Sequence, residues 1–276
     1  MKEQKVKKSS AQDLSEKYLK RLNIDYSGKE HTIQFVNELV KKHIATFTFN
    51  SIEVLLGKEL ISLETSDVFH KIVTQGRGGY CFEHNKLLYQ VLEELQFKVR
   101  PFLGRVLNNR DIDAPRTHRL TLLKLKGDRY LVDVGFGPWG PREAIKFSEI
   151  PTVCKGGQTY RINQKEKDQY LLQIFKDGEF ATLYSFDLVE FTPSDFLLSH
   201  FYSHRHPQAG FVNNLVVSKV LEEEILSLRN RELQVIKPAK TKTTEIESAE
   251  HLQKILSTEF DININIEGCK KLYEKK

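Results

Sequence analysis

The period of the hydrophobic pattern changes once along the chain, near residue 97, and no other feature limits the possible folds as much. Before that point apolar residues recur at helical spacing. Leu14, Tyr18 and Leu22 share one face, with Ser10-Ala-Gln-Asp13 placed to cap it. Ile33, Val36 and Val40, flanked by Phe35 and Leu39, form a second stripe. Thr65-Ser66-Asp67 is placed to cap a third, carrying Val68, Phe69 and Ile72. A fourth runs from about Tyr80 to Gln96 through Leu88, Leu92 and Leu95. After the change the chain reads as strands: Val99–Leu107, Arg119–Leu125, then a turn at Lys126-Gly127-Asp128-Arg129 and a strand over Tyr130–Phe136. Shorter strands are expected near Gln158–Ile162, Tyr170–Phe175 and Thr182–Phe186. Beyond Glu190 the signal is mixed, with Leu215–Val220 β-like and Ser248–Phe260 helical. The coarse architecture is α+β.

At 276 residues the chain is long for one domain and has room for two or three small ones. Hydrophobic residues at 39%, with 17 Phe and 10 Tyr, are enough to fill cores, which excludes disorder for most of the chain. No apolar run approaches the length of a membrane span. The basic start, Met1 to Lys8, is followed by no apolar segment of the kind a signal peptide needs. Three scattered cysteines, Cys81, Cys154 and Cys269, make no disulfide framework, so a reducing cytoplasmic setting is expected. The net charge is +5, and Lys and Arg are interleaved with Glu and Asp, so neither a nucleic acid nor a membrane is expected as a partner. The basic runs Lys5–Lys8, Lys237–Lys242 and Lys270–Lys276 read as solvated tails or loops.

The segment Arg77-Gly-Gly-Tyr-Cys-Phe-Glu83 carries the most chemistry. Two glycines permit a sharp backbone turn, and Cys81 follows where a helix begins. There, free amides and the helix dipole are expected to lower a thiol pKa and to bind an oxyanion. A nucleophile and a buried structural cysteine are both compatible with this segment alone. A thiol nucleophile needs a base and the base an orienting group. His118 enters one expected strand, and Asp133 lies inside the apolar run Leu-Val-Asp-Val-Gly-Phe, where a carboxylate is costly unless paired. A two-residue turn at Gly127-Asp128 sets Asp133 opposite Leu122, four residues from His118, so strong twist or a bulge near Gly135 is needed to join them. Gly135-Phe-Gly-Pro-Trp-Gly140 matches a dinucleotide fingerprint in letters, but Pro138 removes an amide and no helix is expected next. It reads as a turn at the mouth of a site. His200, His204 and His206 have metal-ligand character with nothing nearby to complete a set, and read as a surface loop; no metal site is expected.

Arg-Gly-Gly-Tyr-Cys-Phe-Glu, then Arg-Thr-His, then Val-Asp-Val-Gly-Phe-Gly, in this order and spacing, resembles the arylamine N-acetyltransferases. The likeness spans most of the chain, through Phe49–Gly57, Ser185-Phe-Asp-Leu and Phe211-Val-Asn-Asn-Leu-Val-Val. It implies a helical bundle (1–97), a β-barrel (98–190) and an α/β lid (191–276) around a papain-like Cys-His-Asp core. It further implies Cys81 as nucleophile, His118 as base and Asp133 as orienter, with substrate contacts at Phe49, Thr117, Phe136 and Gly137. Arg205 and His206 are the implied cofactor contacts. The implied reaction is ping-pong, with acetyl-CoA as donor, no permanently bound cofactor, and an arylamine or hydrazine as acceptor. A cysteine-dependent hydrolase or transglutaminase-like acyl transferase uses the same three residues and is the alternative. The chain departs from the family pattern at Thr48, Asn50-Ser51, His84, His204-Arg205-His206 and Ala209.

Overall fold

The four expected helical stripes become helices because each buries its apolar face in one shared core. The computed structural model describes residues 14–26, 31–57 and 60–275; the Ser10–Asp13 cap, the Lys5–Lys8 run and Lys276 lie outside them. Helix α1 is described over residues 14–21 and α2 spans Ile33–Thr46, capped by the Thr32 hydroxyl. Strand β1 (Phe49–Asn50) and helix α3 (Ile52–Leu55) follow. Helix α4 (Thr65–Phe69) begins after Glu64, so Thr65 is its first residue rather than its cap, and it runs on into a π-helix at His70–Thr74. Helix α5 is Cys81–Glu94. Tyr18, Val36, Leu39, Val40, Val91 and Leu92 are fully buried together, each contributing roughly 1.5–3 kcal/mol by leaving water.

The middle third forms one antiparallel sheet of eight strands: β2 (Lys98–Val106), β3 (Arg116–Leu125), β4 (Asp128–Val132), β5 (Ile145–Lys146), β6 (Thr152–Val153), β7 (Thr159–Glu166), β8 (Gln169–Lys176) and β9 (Glu179–Asp187). Their spatial order is β5-β4-β3-β2-β9-β8-β7-β6, and the sheet nearly closes as β5 comes against β7. Phe102, Leu120, Leu131, Tyr160, Leu172 and Tyr184 fill its interior. The expected strand over Tyr130–Phe136 ends earlier, at Val132.

The last third contains α6 (Pro193–Arg205), α7 (Gly210–Asn213), β10 (Val216–Val220), β11 (Ile225–Arg229), β12 (Glu232–Lys237), β13 (Lys240–Glu245), α8 (Ala249–Phe260) and α9 (Ile266–Glu274). Strands β10 to β13 form a meander, and β1 from the first third adds to its edge by pairing Phe49 with Ser218. His200 and His204 lie buried on α6 rather than in a surface loop. Tyr80 Oη bonds His200 Nδ1, and His200 Nε2 bonds the Ile61 carbonyl at 2.8 Å. No group of three or more potential metal ligands occurs among the described residues. No described helix is long and apolar enough to cross a membrane.

The Arg77–Glu83 segment is a structural device in its own right. Glu83 is 1% exposed; its Oε2 accepts from the Tyr80 amide at 3.1 Å, and its Oε1 meets Lys71 Nζ at 2.6 Å. Lys71 also pairs with Glu53 at 2.8 Å, and Glu53 with Arg77 at 2.8 Å, so an ion chain fastens the loop before Cys81. Gly78 has φ +64°, and a Cβ there would lie 1.9 Å from the Thr48 carbonyl oxygen. Gly78→Ala is therefore expected to cost more than about 3 kcal/mol in urea unfolding, from strain and backbone clash together. A loss below about 1 kcal/mol would contradict this packing.

Candidate active site

Cys81 opens α5 with its side chain on the wall of a cavity of about 840 Å³ that His118 also lines. The segment just past β4 that carries Asp133 is pressed onto the helix start. A Cβ on Gly135 would stand 2.8 Å from Cys81 Cα and 3.0 Å from its carbonyl oxygen, so only glycine lets the two backbones meet there.

His118 and Asp133 come together through register. The β3–β4 hairpin turns at Lys126-Gly127, both with positive φ, and pairs Leu125 with Asp128 and Thr121 with Val132. The turn thus lies one residue earlier than Gly127-Asp128. That moves Asp133 level with Leu120, one diagonal step from His118 on the same face. No bulge at Gly135 is required; the ladder's irregularity is across β2, where Gly104 faces His118 and Arg105 faces Arg116, leaving Thr117 over.

His118 Nε2 donates to Asp133 Oδ2 at 2.8 Å, both residues being almost wholly buried. This leaves Nδ1 as the ring nitrogen with a proton to accept. The carboxylate is fully coordinated: Oδ2 also accepts from Tyr184 Oη at 2.9 Å, and Oδ1 accepts from Asn85 Nδ2 at 2.8 Å and the Gly135 amide at 2.9 Å. Burial alone would raise the Asp133 pKa, but the electrostatic pull of His118 and the hydrogen bonds from His118, Asn85 and the Gly135 amide outweigh it and hold the carboxyl below the usual range. Asn85 is held in turn, giving to the Arg119 carbonyl at 2.6 Å and accepting from the Val134 amide at 2.9 Å.

The thiol departs from the sequence expectation. Burial first, and then the Asp133 carboxylate, push the Cys81 pKa up, while the Arg119 and Phe82 amides pull it down without prevailing. The helix start does not by itself hold a thiolate. Ionisation of this thiol therefore needs a proton acceptor beside it.

Phe49, Thr117 and Phe136 line the cavity with Pro138, Trp139 and Phe211. Gly137 is set behind this wall, beside Phe49 and Ser218. Arg205 is exposed; neither it nor His206, which stacks on Tyr202 at 4.3 Å, belongs to the cavity lining. Both ring nitrogens of His84 are engaged away from Cys81. Its Nδ1 meets His43 Nε2 at 2.7 Å, its Nε2 faces the Thr48 carbonyl at 3.3 Å, and His43 Nδ1 meets Tyr18 Oη at 2.7 Å. Sequence reasoning did not find Asn85 or Tyr184. Asn85 had a signal, being four residues after Cys81 on the same helix face. Tyr184, in Leu-Tyr-Ser-Phe of β9, looks like any barrel aromatic.

A helical core, a nearly closed barrel and a cysteine at a helix start sharing a cavity with a carboxylate-bonded histidine make a papain-like arrangement, and comparison with known proteins gives it a class. The family model described as N-acetyltransferase matches residues 32–269. The arylamine N-acetyltransferase of Escherichia coli K12 is 37% identical over 75% of this chain and 73% of its own. That of Mycolicibacterium smegmatis is 32% identical over 90% and 91%. The solved arylamine N-acetyltransferase of Mycobacterium marinum in complex with CoA superposes with TM-score 0.86 at 27% identity, covering 94% of this chain and 98% of that one. The chain belongs to the arylamine N-acetyltransferase family and is an acetyltransferase.

Proposed function

We propose that the chain transfers the acetyl group of acetyl-CoA to the nitrogen of arylamines or arylhydrazines through an acetyl-cysteine at Cys81. His118 Nδ1 takes the thiol proton as the sulfur attacks the thioester carbonyl. The bond to the CoA sulfur breaks, and the proton on His118 leaves with CoA. An amine then attacks the acetyl-cysteine, gives its proton to His118, and departs as the amide, returning the thiol. One thioester replaces another in the first half, so that half is close to isoenergetic. Asp133 holds His118 in the Nε2–H tautomer and stabilises the positive charge the ring gains, and amides at the start of α5 receive the developing oxyanion.

The observation that carries this reading is His118, bonded through Nε2 to Asp133 at 2.8 Å while lining the same cavity as Cys81. The CoA complex of the M. marinum relative supports the donor. Aromatic rings at Phe49, Phe136, Trp139 and Phe211 give the cavity faces and edges on which an aryl ring packs. The three cysteines are free thiols, in keeping with a cytoplasmic enzyme. Initial rates measured against acetyl-CoA at several fixed arylamine concentrations are expected to give parallel double-reciprocal lines. Lines that intersect would mean both substrates bind before chemistry, and would contradict an acetyl-enzyme.

A further inference from the structure

Helix α6 turns a polar side to the core and an apolar side outward. The inner side is engaged by its neighbours. His200 Nε2 gives its hydrogen to the Ile61 carbonyl at 2.8 Å, which leaves Nδ1 to accept from the hydroxyl of Tyr80, the residue before Cys81. Ser199 Oγ donates to the carbonyl of Arg116, two residues before His118. On the outer side Leu197, Leu198 and Phe201 are 59%, 70% and 53% exposed. They are neighbours on the helix surface, with Phe201 three and four residues after the two leucines. Leu60, 69% exposed, stands beside the helix, because its neighbour Ile61 is the residue His200 holds. Together these side chains lay bare roughly 400 Å² of apolar surface in one place, the size of patch that marks contact with another molecule. None of the four lines the cavity that holds Cys81, so the patch serves no substrate there.

The two ends of this patch carry opposite charge. Glu190, just ahead of α6, is exposed and makes no ion pair among the described residues. Arg100 comes close but gives its guanidinium to the Leu188 and Val189 carbonyls instead. Arg205, at the last turn, is exposed and likewise without an ion pair among the described residues. It stands four residues after Phe201 and seven after Leu198, on the same helix face. Asp195 is the one carboxylate between these ends, and it is taken up in capping Thr192.

We infer that this face joins two copies of the chain, their α6 helices crossing antiparallel about a two-fold axis at Leu198. That axis sets Arg205 of one copy, seven residues past Leu198, against the turn seven residues before it in the other copy, next to Glu190. A two-fold contact repeats itself, so both ends pair at once. A parallel crossing would instead set Arg205 on Arg205 and Glu190 on Glu190. The antiparallel one also places the helix dipoles head to tail. The apolar centre is small beside the roughly 800 Å² per partner of a standard interface, so the dimer is reversible, forming at micromolar concentration. It rests on the outside of the helix whose inner side holds Tyr80 and Arg116, the chain neighbours of Cys81 and His118.

Sedimentation velocity of the full chain, from about 1 to 300 μM at low salt, is expected to show monomer giving way to dimer and to nothing larger, since the contact closes on itself. Leu198 is exposed, so Leu198→Glu is expected to melt like the parent while staying monomeric throughout. Arg205→Glu and Glu190→Arg should each weaken association roughly tenfold, and the double variant should recover most of it. A parent that is monomeric at every concentration, or a dimer that persists in Leu198→Glu, would overturn the proposal. A double variant no stronger than the single ones would overturn the antiparallel crossing.

Discussion

Asp133→Asn is expected to lower the rate of acetyl transfer by about four orders of magnitude while leaving the chain folded. The carboxylate has four donors around it: Asn85 Nδ2 and the Gly135 amide on Oδ1, His118 Nε2 and Tyr184 Oη on Oδ2. An asparagine has one oxygen. Asn85 Nδ2 and the amide can only donate, so the oxygen must stay with them. The new NH2 then faces His118 and Tyr184, both of which can turn to accept. The structure survives this exchange at the expense of the tautomer. His118 loses its proton from Nε2 and carries it on Nδ1, where the thiol proton has to go. Alkylation of Cys81 by iodoacetamide near neutral pH is expected to slow in parallel, because thiol ionisation there depends on that nitrogen. A variant within tenfold of the parent in turnover would mean that Asp133 does not orient the base.

The second large effect is on stability in mild acid. His84 and His200 are buried and neutral, each with its pKa pushed down to about 4, first by burial. His43 is held well below its ordinary value by burial and by His84. In the unfolded chain all three take a proton near pH 6.5. Below that pH the unfolded state binds more protons than the folded one, so stability is lost progressively as pH falls from about 6.5 to about 4. A shift of the size of His84's is worth roughly 3 kcal/mol by the lower end of this window. Asp133, whose pKa is depressed, contributes stability above the ordinary carboxylate range and loses it only at still lower pH. Thermal melting between pH 7 and pH 4.5 is therefore expected to show a steep fall in Tm. His84→Gln, which removes a titrating group from the Tyr18–His43–His84 chain, should flatten it. A Tm independent of pH over this interval, or an identical profile in the variant, would contradict the buried neutral histidines.

How far the sequence carried depended on whether a residue's role was local. The helices of the first third were legible because Val36, Val40, Leu88 and Leu92 bury what an apolar stripe exposes to view. The same logic misled at α6. Its buried face is Phe196, Ser199, His200, Ser203 and His204, while Leu197, Leu198 and Phe201 are exposed. A helix with its polar side inward offers no apolar stripe to read. Strand β13, Lys-Thr-Lys-Thr-Thr-Glu, holds no apolar residue at all, and as the outer strand of its sheet it needs none. In the site, Cys81, His118 and Asp133 were each marked by an odd local setting. Their meeting was not local, since it hung on a turn one residue earlier than the sequence favoured. Tyr184 reaches Asp133 across 51 residues and the barrel interior, which no spacing rule can see.

An intact mass spectrum taken after brief mixing with acetyl-CoA, with no amine present, tests the acetyl-cysteine most directly. The account predicts one added acetyl group, located on Cys81, absent in Cys81→Ser and discharged by an arylamine. A protein that stays unmodified by acetyl-CoA while its Cys81 is still alkylated by iodoacetamide would contradict it.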